Sequence, residues 1–100
     1  MRRGLEFKKK ARIILVDDNY DHLSGIKELI EIESDFDVVA TATSASVAIS
    51  LIKKYRPEIV LMDINMPEKD GLTAIAEIEK LDLGVRIIAL TGYDDPDLIF

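Results

Sequence analysis

Two short runs in this chain are apolar at every position and stop abruptly at aspartate. Ile13-Ile14-Leu15-Val16 leads into Asp17-Asp18-Asn19, and Ile59-Val60-Leu61-Met62 leads into Asp63-Ile64-Asn65-Met66-Pro67. Runs of this length, rich in β-branched residues and without polar alternation, read as strands buried on both faces, which is the signature of parallel sheets covered by helices. Buried parallel strands deliver the residues just beyond them to the carboxyl edge of the sheet, where open α/β folds bind ligands. Several carboxylates are thus expected at one place. Clustered carboxylates repel one another, so such a group is expected to hold a cation or to titrate abnormally.

The remaining elements alternate in the same sense. Strands are predicted over 12–16, 37–41, 58–62 and 85–90, and helices over 20–32, 44–55 and 71–81. In the first helix Leu23, Ile26, Leu29, Ile30 and Ile32 are read as one apolar stripe. Ser44 is a good N-cap for the second helix, which turns Ala45, Ala48, Ile49 and Ile52 inward before Pro57 closes the link. The third helix carries Leu72, Ile75, Ala76 and Ile78 as its apolar residues. Asp95-Pro96 reads as the cap and first turn of a fourth helix. This order predicts an α/β fold, a doubly wound parallel sheet with strand order 2-1-3-4. In that order Asp17, Asp18, Asp63 and Thr91, each at the end of a strand, converge at the switch point.

Composition limits what such a fold does. One hundred residues make at most one domain. The absence of cysteine excludes disulfides and thiolate metal sites. No apolar run approaches the roughly 20 residues needed to span a bilayer, and no secretory signal is visible, so a cytoplasmic location without membrane contact is expected. The net charge of −6 is uneven: residues 1–12 carry six basic side chains against Glu6, and the rest carries seven basic and 18 acidic ones. Residues 1–11 are read as a basic leader and 12–100 as the folded domain. The acidic body is a poor direct partner for nucleic acid. His22, the single histidine, is read as an exposed helix residue, and Met62 and Met66 as packing residues.

Hard oxygen donors without cysteine or histidine suit Mg²⁺, and a carboxylate can itself act as a nucleophile toward phosphorus. The three motifs Ile13-Ile14-Leu15-Val16-Asp17-Asp18-Asn19, Asp63-Ile64-Asn65-Met66-Pro67 with Asp70-Gly71, and Leu90-Thr91-Gly92 together resemble the receiver domain of two-component response regulators. The wording of 57–71 is most similar to receivers that precede LuxR-type helix-turn-helix output domains. The resemblance covers about 11–100 and implies a flavodoxin-like fold with a fifth strand and helix. It also implies a histidine kinase as partner, a DNA-binding output domain elsewhere, and a signalling phosphoacceptor, not an enzyme.

Residue by residue, the resemblance implies Asp63 as phosphoacceptor, Asp18 as a direct Mg²⁺ ligand and Asp17 as a direct or water-mediated one. It implies the backbone carbonyl of Asn65 as a further ligand and its side chain as a tuner of hydrolysis. Thr91 becomes the phosphoryl contact and switch, and Tyr93 a second tuning position. The family's lysine, its aromatic switch residue and its fifth strand would fall beyond Phe100. The expectation is therefore a domain incomplete at its carboxyl end, with the edge of the fourth strand open to pairing with another copy. The alternative function is a receiver-like interaction module that is not phosphorylated. A phosphatase is disfavoured, because Asn65 stands where such enzymes carry an acid/base aspartate.

Overall fold

Strands that are apolar on both faces must be covered on both, and in this chain helices do the covering. The computed structural model describes residues 10–63 and 71–90. Its elements run β1 (Ala11–Val16), α1 (Tyr20–Ile32), β2 (Phe36–Ala42), α2 (Ala45–Tyr55), β3 (Ile59–Asp63), α3 (Gly71–Lys80) and β4 (Arg86–Leu90). The strands form one parallel sheet in the order β2-β1-β3-β4, the doubly wound, flavodoxin-like arrangement expected from the alternation. Element limits agree with the expectation to within about two residues, and those of α1 coincide. The expected fourth helix, and all of the basic leader but its last two residues, lie outside the described residues.

The period-two geometry of β1 divides its side chains between two cores. Ile14 and Val16 join Ala42, Ala45, Ala48, Ile52, Val60, Met62, Ala74 and Ile78 on the side of α2 and α3. Ile13 and Leu15 join Leu23 of α1 on the other side, flanked by Ile26, Ile30, Phe36, Val38, Ile59 and Leu61. β1 is therefore the centre of the domain. Its six residues pair with the seven of β2 because the register shifts between Ile13 and Ile14: Ile13 faces Val38 and Ile14 faces Ala40. Val39 is the extra residue, a bulge of a kind rare between parallel strands.

The helices begin where their caps are. The Asn19 side chain accepts the His22 N–H at 3.1 Å and opens α1, and Ser44 Oγ accepts the Val47 N–H at 3.3 Å and opens α2, as its sequence predicts. These acceptors satisfy donors that have no partner inside the helix. α2 ends at Arg56, which adopts a left-handed conformation (φ 49°) and donates its N–H to the Ile52 carbonyl at 2.9 Å.

One expectation about packing fails. Leu29 and Ile32 do not belong to the buried stripe of α1; they are 68% and 75% exposed. At 3.6 residues per turn, Ile26 and Ile30 fall within about 60° of Leu23, whereas Leu29 falls about 120° away and Ile32 about 180°. In α3 the buried residues are Ala74 and Ile78, while Leu72 and Ala76 face outward. β4 is partly uncovered, as expected for an open edge. Among the described residues it pairs with β3 alone, and Arg86 and Ile88 are exposed.

Candidate functional site

The sheet register brings the acidic residues together. Val16 of β1 stands opposite Met62 of β3, so the next residues, Asp17 just past β1 and Asp63 at the end of β3, come side by side. The ladder continues one step past β1: the Asp17 N–H donates to the Ala42 carbonyl at 3.0 Å. Neighbouring strands lie about 4.8 Å apart, and that spacing is passed on to the carboxylates. One oxygen from each of Asp17, Asp18 and Asp63 lies within 4.8 Å of the others.

Asp17 and Asp63 are 6% and 7% exposed, whereas Asp18 is open to solvent. With an effective dielectric constant near 20, two ionised carboxylates this close repel by at least about 3 kcal/mol. The domain thus holds charges at its sheet edge that nothing in packing requires. Three carboxylates with one open to solvent, and no thiolate among them, match the donor set of a hard divalent cation that keeps part of its hydration shell. The residues present fit Mg²⁺ on this ground.

The approach of α1 fixes the Asp17 carboxylate. Asp17 Oδ1 accepts the Asn19 N–H at 2.9 Å, and Asp17 Oδ2 lies 3.5 Å from Nδ1 of His22. His22 is exposed, as its sequence position predicts, but its imidazole reaches back toward the cluster. Sequence reasoning missed this contact. The signal was available, since the third residue of a helix commonly folds its side chain back over the cap.

The cluster unites three of the predicted site residues. Asn65, Thr91 and Tyr93 lie outside the described residues, as do Met66, Pro67 and Asp70. Among the described residues no helix is long and apolar enough to cross a membrane.

Comparison with known proteins agrees with this geometry. The family model described as "Response regulator receiver domain" matches residues 13–100. The chain is 32% identical over 92 residues to the transcriptional regulatory protein DegU of Brevibacillus brevis, covering 92% of this chain and 39% of that protein. It thus spans well under half of that relative's length. Among solved structures, a LuxR-family two-component response regulator from Aurantimonas is 37% identical with a TM-score of 0.77, covering 81% of this chain and 58% of that one. The CheX–CheY–BeF₃⁻–Mg²⁺ complex from Borrelia burgdorferi is 25% identical with a TM-score of 0.81, covering 91% and 69%.

Proposed function

The chain belongs to the response regulator receiver family, and from that premise we propose that Asp63 accepts a phosphoryl group while Asp17, Asp18 and Asp63 hold Mg²⁺. The observation that carries the proposal is the convergence of these three carboxylates at the carboxyl edge of β1 and β3, two of them nearly buried. Carboxylates held this close repel one another, and a bound divalent cation would offset that repulsion. The solved neighbour crystallised with Mg²⁺ and a beryllium fluoride group supports the choice of ligands.

Mg²⁺, when bound, supplies positive charge that offsets repulsion between an incoming phosphoryl group and the carboxylates. The chain's own residues do the rest. β3 ends at Asp63, and its nearly buried carboxylate would offer one oxygen for attack on phosphorus. An oxygen–phosphorus bond forms at Asp63 as the bond from phosphorus to the donor breaks, and the electron pair of that bond stays with the donor. For a histidine-kinase donor the leaving atom is an imidazole nitrogen. Thr91 would then contact a phosphoryl oxygen, Asn65 would complete the cation site through its backbone carbonyl, and Tyr93 with the Asn65 side chain would set the lifetime. The output is a shift between two states of the domain, passed to a DNA-binding domain in the manner of the transcriptional regulators it resembles.

The test is incubation with Mg²⁺ and acetyl phosphate, followed by intact mass and repeated with Asp63→Asn. A gain of one phosphoryl mass that vanishes in the variant is the expected result. A folded, Mg²⁺-binding chain that gains no mass from either a small donor or a kinase would replace this reading by the interaction module.

A further inference from the structure

Of the three clustered carboxylates, Asp17 has partners on both of its oxygens from the first turn of α1. Oδ1 accepts the Asn19 N–H at 2.9 Å, and Oδ2 faces His22 Nδ1 at 3.5 Å. The same histidine donates its backbone N–H to Asn19 Oδ1 at 3.1 Å. Three residues thus form a closed ring: Asn19 caps His22, Asp17 caps Asn19, and the His22 side chain returns to Asp17. In the usual reciprocal cap the third helical residue is a Glu or Gln that accepts the N–H of the cap residue. Here the Asp17 carboxylate takes over that acceptance, and His22 occupies the third position.

We propose that His22 is a positioning residue for the cation site, its imidazole and the Asn19 N–H together fixing the plane of the Asp17 carboxylate that faces a divalent ion. The inference rests on the reading of Asp17 as part of a Mg²⁺ site. A carboxylate has two oxygens with about four acceptor directions. One partner on each oxygen fixes rotation about the Cβ–Cγ bond and still leaves a direction free on each oxygen for a cation. A carboxylate ordered before the ion arrives loses less freedom on binding it. Partners that orient metal ligands in this way typically alter affinity about 10–100-fold when removed. Because the imidazole of His22 is 61% exposed, the low end of that range applies.

The test needs no phosphoryl donor. Mg²⁺ affinity is measured by calorimetry and by the Asn19 amide resonance during Mg²⁺ titration, in the unsubstituted chain and in His22→Leu, His22→Asn and His22→Gln. Asparagine places a donor nitrogen one atom beyond Cγ, where the imidazole has Nδ1; glutamine places it one carbon further, and leucine has none. The expected result is an affinity about tenfold weaker in His22→Leu and His22→Gln, restored in His22→Asn. A cap that serves only α1 would leave this split absent. Equal affinity in all four chains overturns the inference and leaves the cation site standing, as does His22→Asn binding as weakly as His22→Leu. If the leucine variant does not fold, the asparagine–glutamine pair decides. Absence of Mg²⁺ binding in the unsubstituted chain overturns the site reading and this inference with it.

Discussion

β1 and β4 are written in almost the same alphabet, Ile-Ile-Leu-Val against Ile-Ile-Ala-Leu, and they end differently. From Ile13 to Val16 no residue of β1 is more than 3% exposed, whereas Ile88 of β4 is 43% exposed. The difference is position. β1 has a strand on each side and a core on each face. β4 has one strand neighbour among the described residues. An apolar run therefore marks a strand, but its neighbours decide how much each side chain contributes. The same contrast separates the site from the rest of the sheet edge, because only a strand walled in on both sides can carry a carboxylate such as Asp17 into near burial.

The contrast is broken or sharpened most strongly at its centre. Ile14→Ala should cost about 4 kcal/mol, since Ile14 is fully buried and a truncated core residue loses both transfer energy and packing. Chemical denaturation checks this, and a loss no larger than that of Ile88→Ala would break the comparison. Next comes the ligand. Mg²⁺ at a hundredfold excess over its Kd should raise stability by about 2.7 kcal/mol. Hydrogen exchange should slow at the ends of β1 and β3, and Asp17→Asn should abolish the gain. A uniform slowing that includes β4 as much as β1 would show that the ion is not held where the carboxylates converge.

Smaller effects are expected at the helix start and the sheet margin. Asn19→Ala removes the cap of α1 and should cost about 1 kcal/mol, seen as a lower thermal midpoint. Ile88→Ala should cost clearly less than Ile14→Ala, about 1 kcal/mol or under, because much of its surface already meets water. Ile32→Gln should stay within about 0.5 kcal/mol of the unsubstituted chain. A larger loss from Ile32→Gln would mean that the exposed side of α1 packs against something in solution.

Most of the architecture was legible because its causes are local. Apolar runs stopping at Asp17 and Asp63, the cap residue Ser44, and the regular return of Ala45, Ala48 and Ile52 each fix an element from within a few residues. The meeting of Asp17, Asp18 and Asp63 was legible too, since the strand order follows from the alternation of elements and the carboxylates simply extend the strands. What escaped depends on angle or on neighbours. Ile32 is apolar and helical, yet half a turn away from Leu23. Leu72 lies at the start of α3, outside the stripe set by Ala74 and Ile78. His22 is exposed, and exposure alone says nothing about where the imidazole leans. For Asn65, Thr91 and Tyr93 the motif remains the guide to their roles.

The extra residue at Val39 has a meaning for counting. Six residues of β1 and seven of β2 run alongside each other, so a ruler laid along the sequence and one laid along the sheet disagree by a single step. That step brings Ala42, not Thr41, opposite Val16. A small methyl thus fills the core beneath the end of β1, and the hydroxyl of Thr41 stays in water. Lengthening β2 by one residue beside Val39, with the bulge kept, would exchange the two, placing an alcohol under the strand that carries Asp17. Insertions in β2 should therefore be felt at the far end of its neighbour, where no substitution has been made.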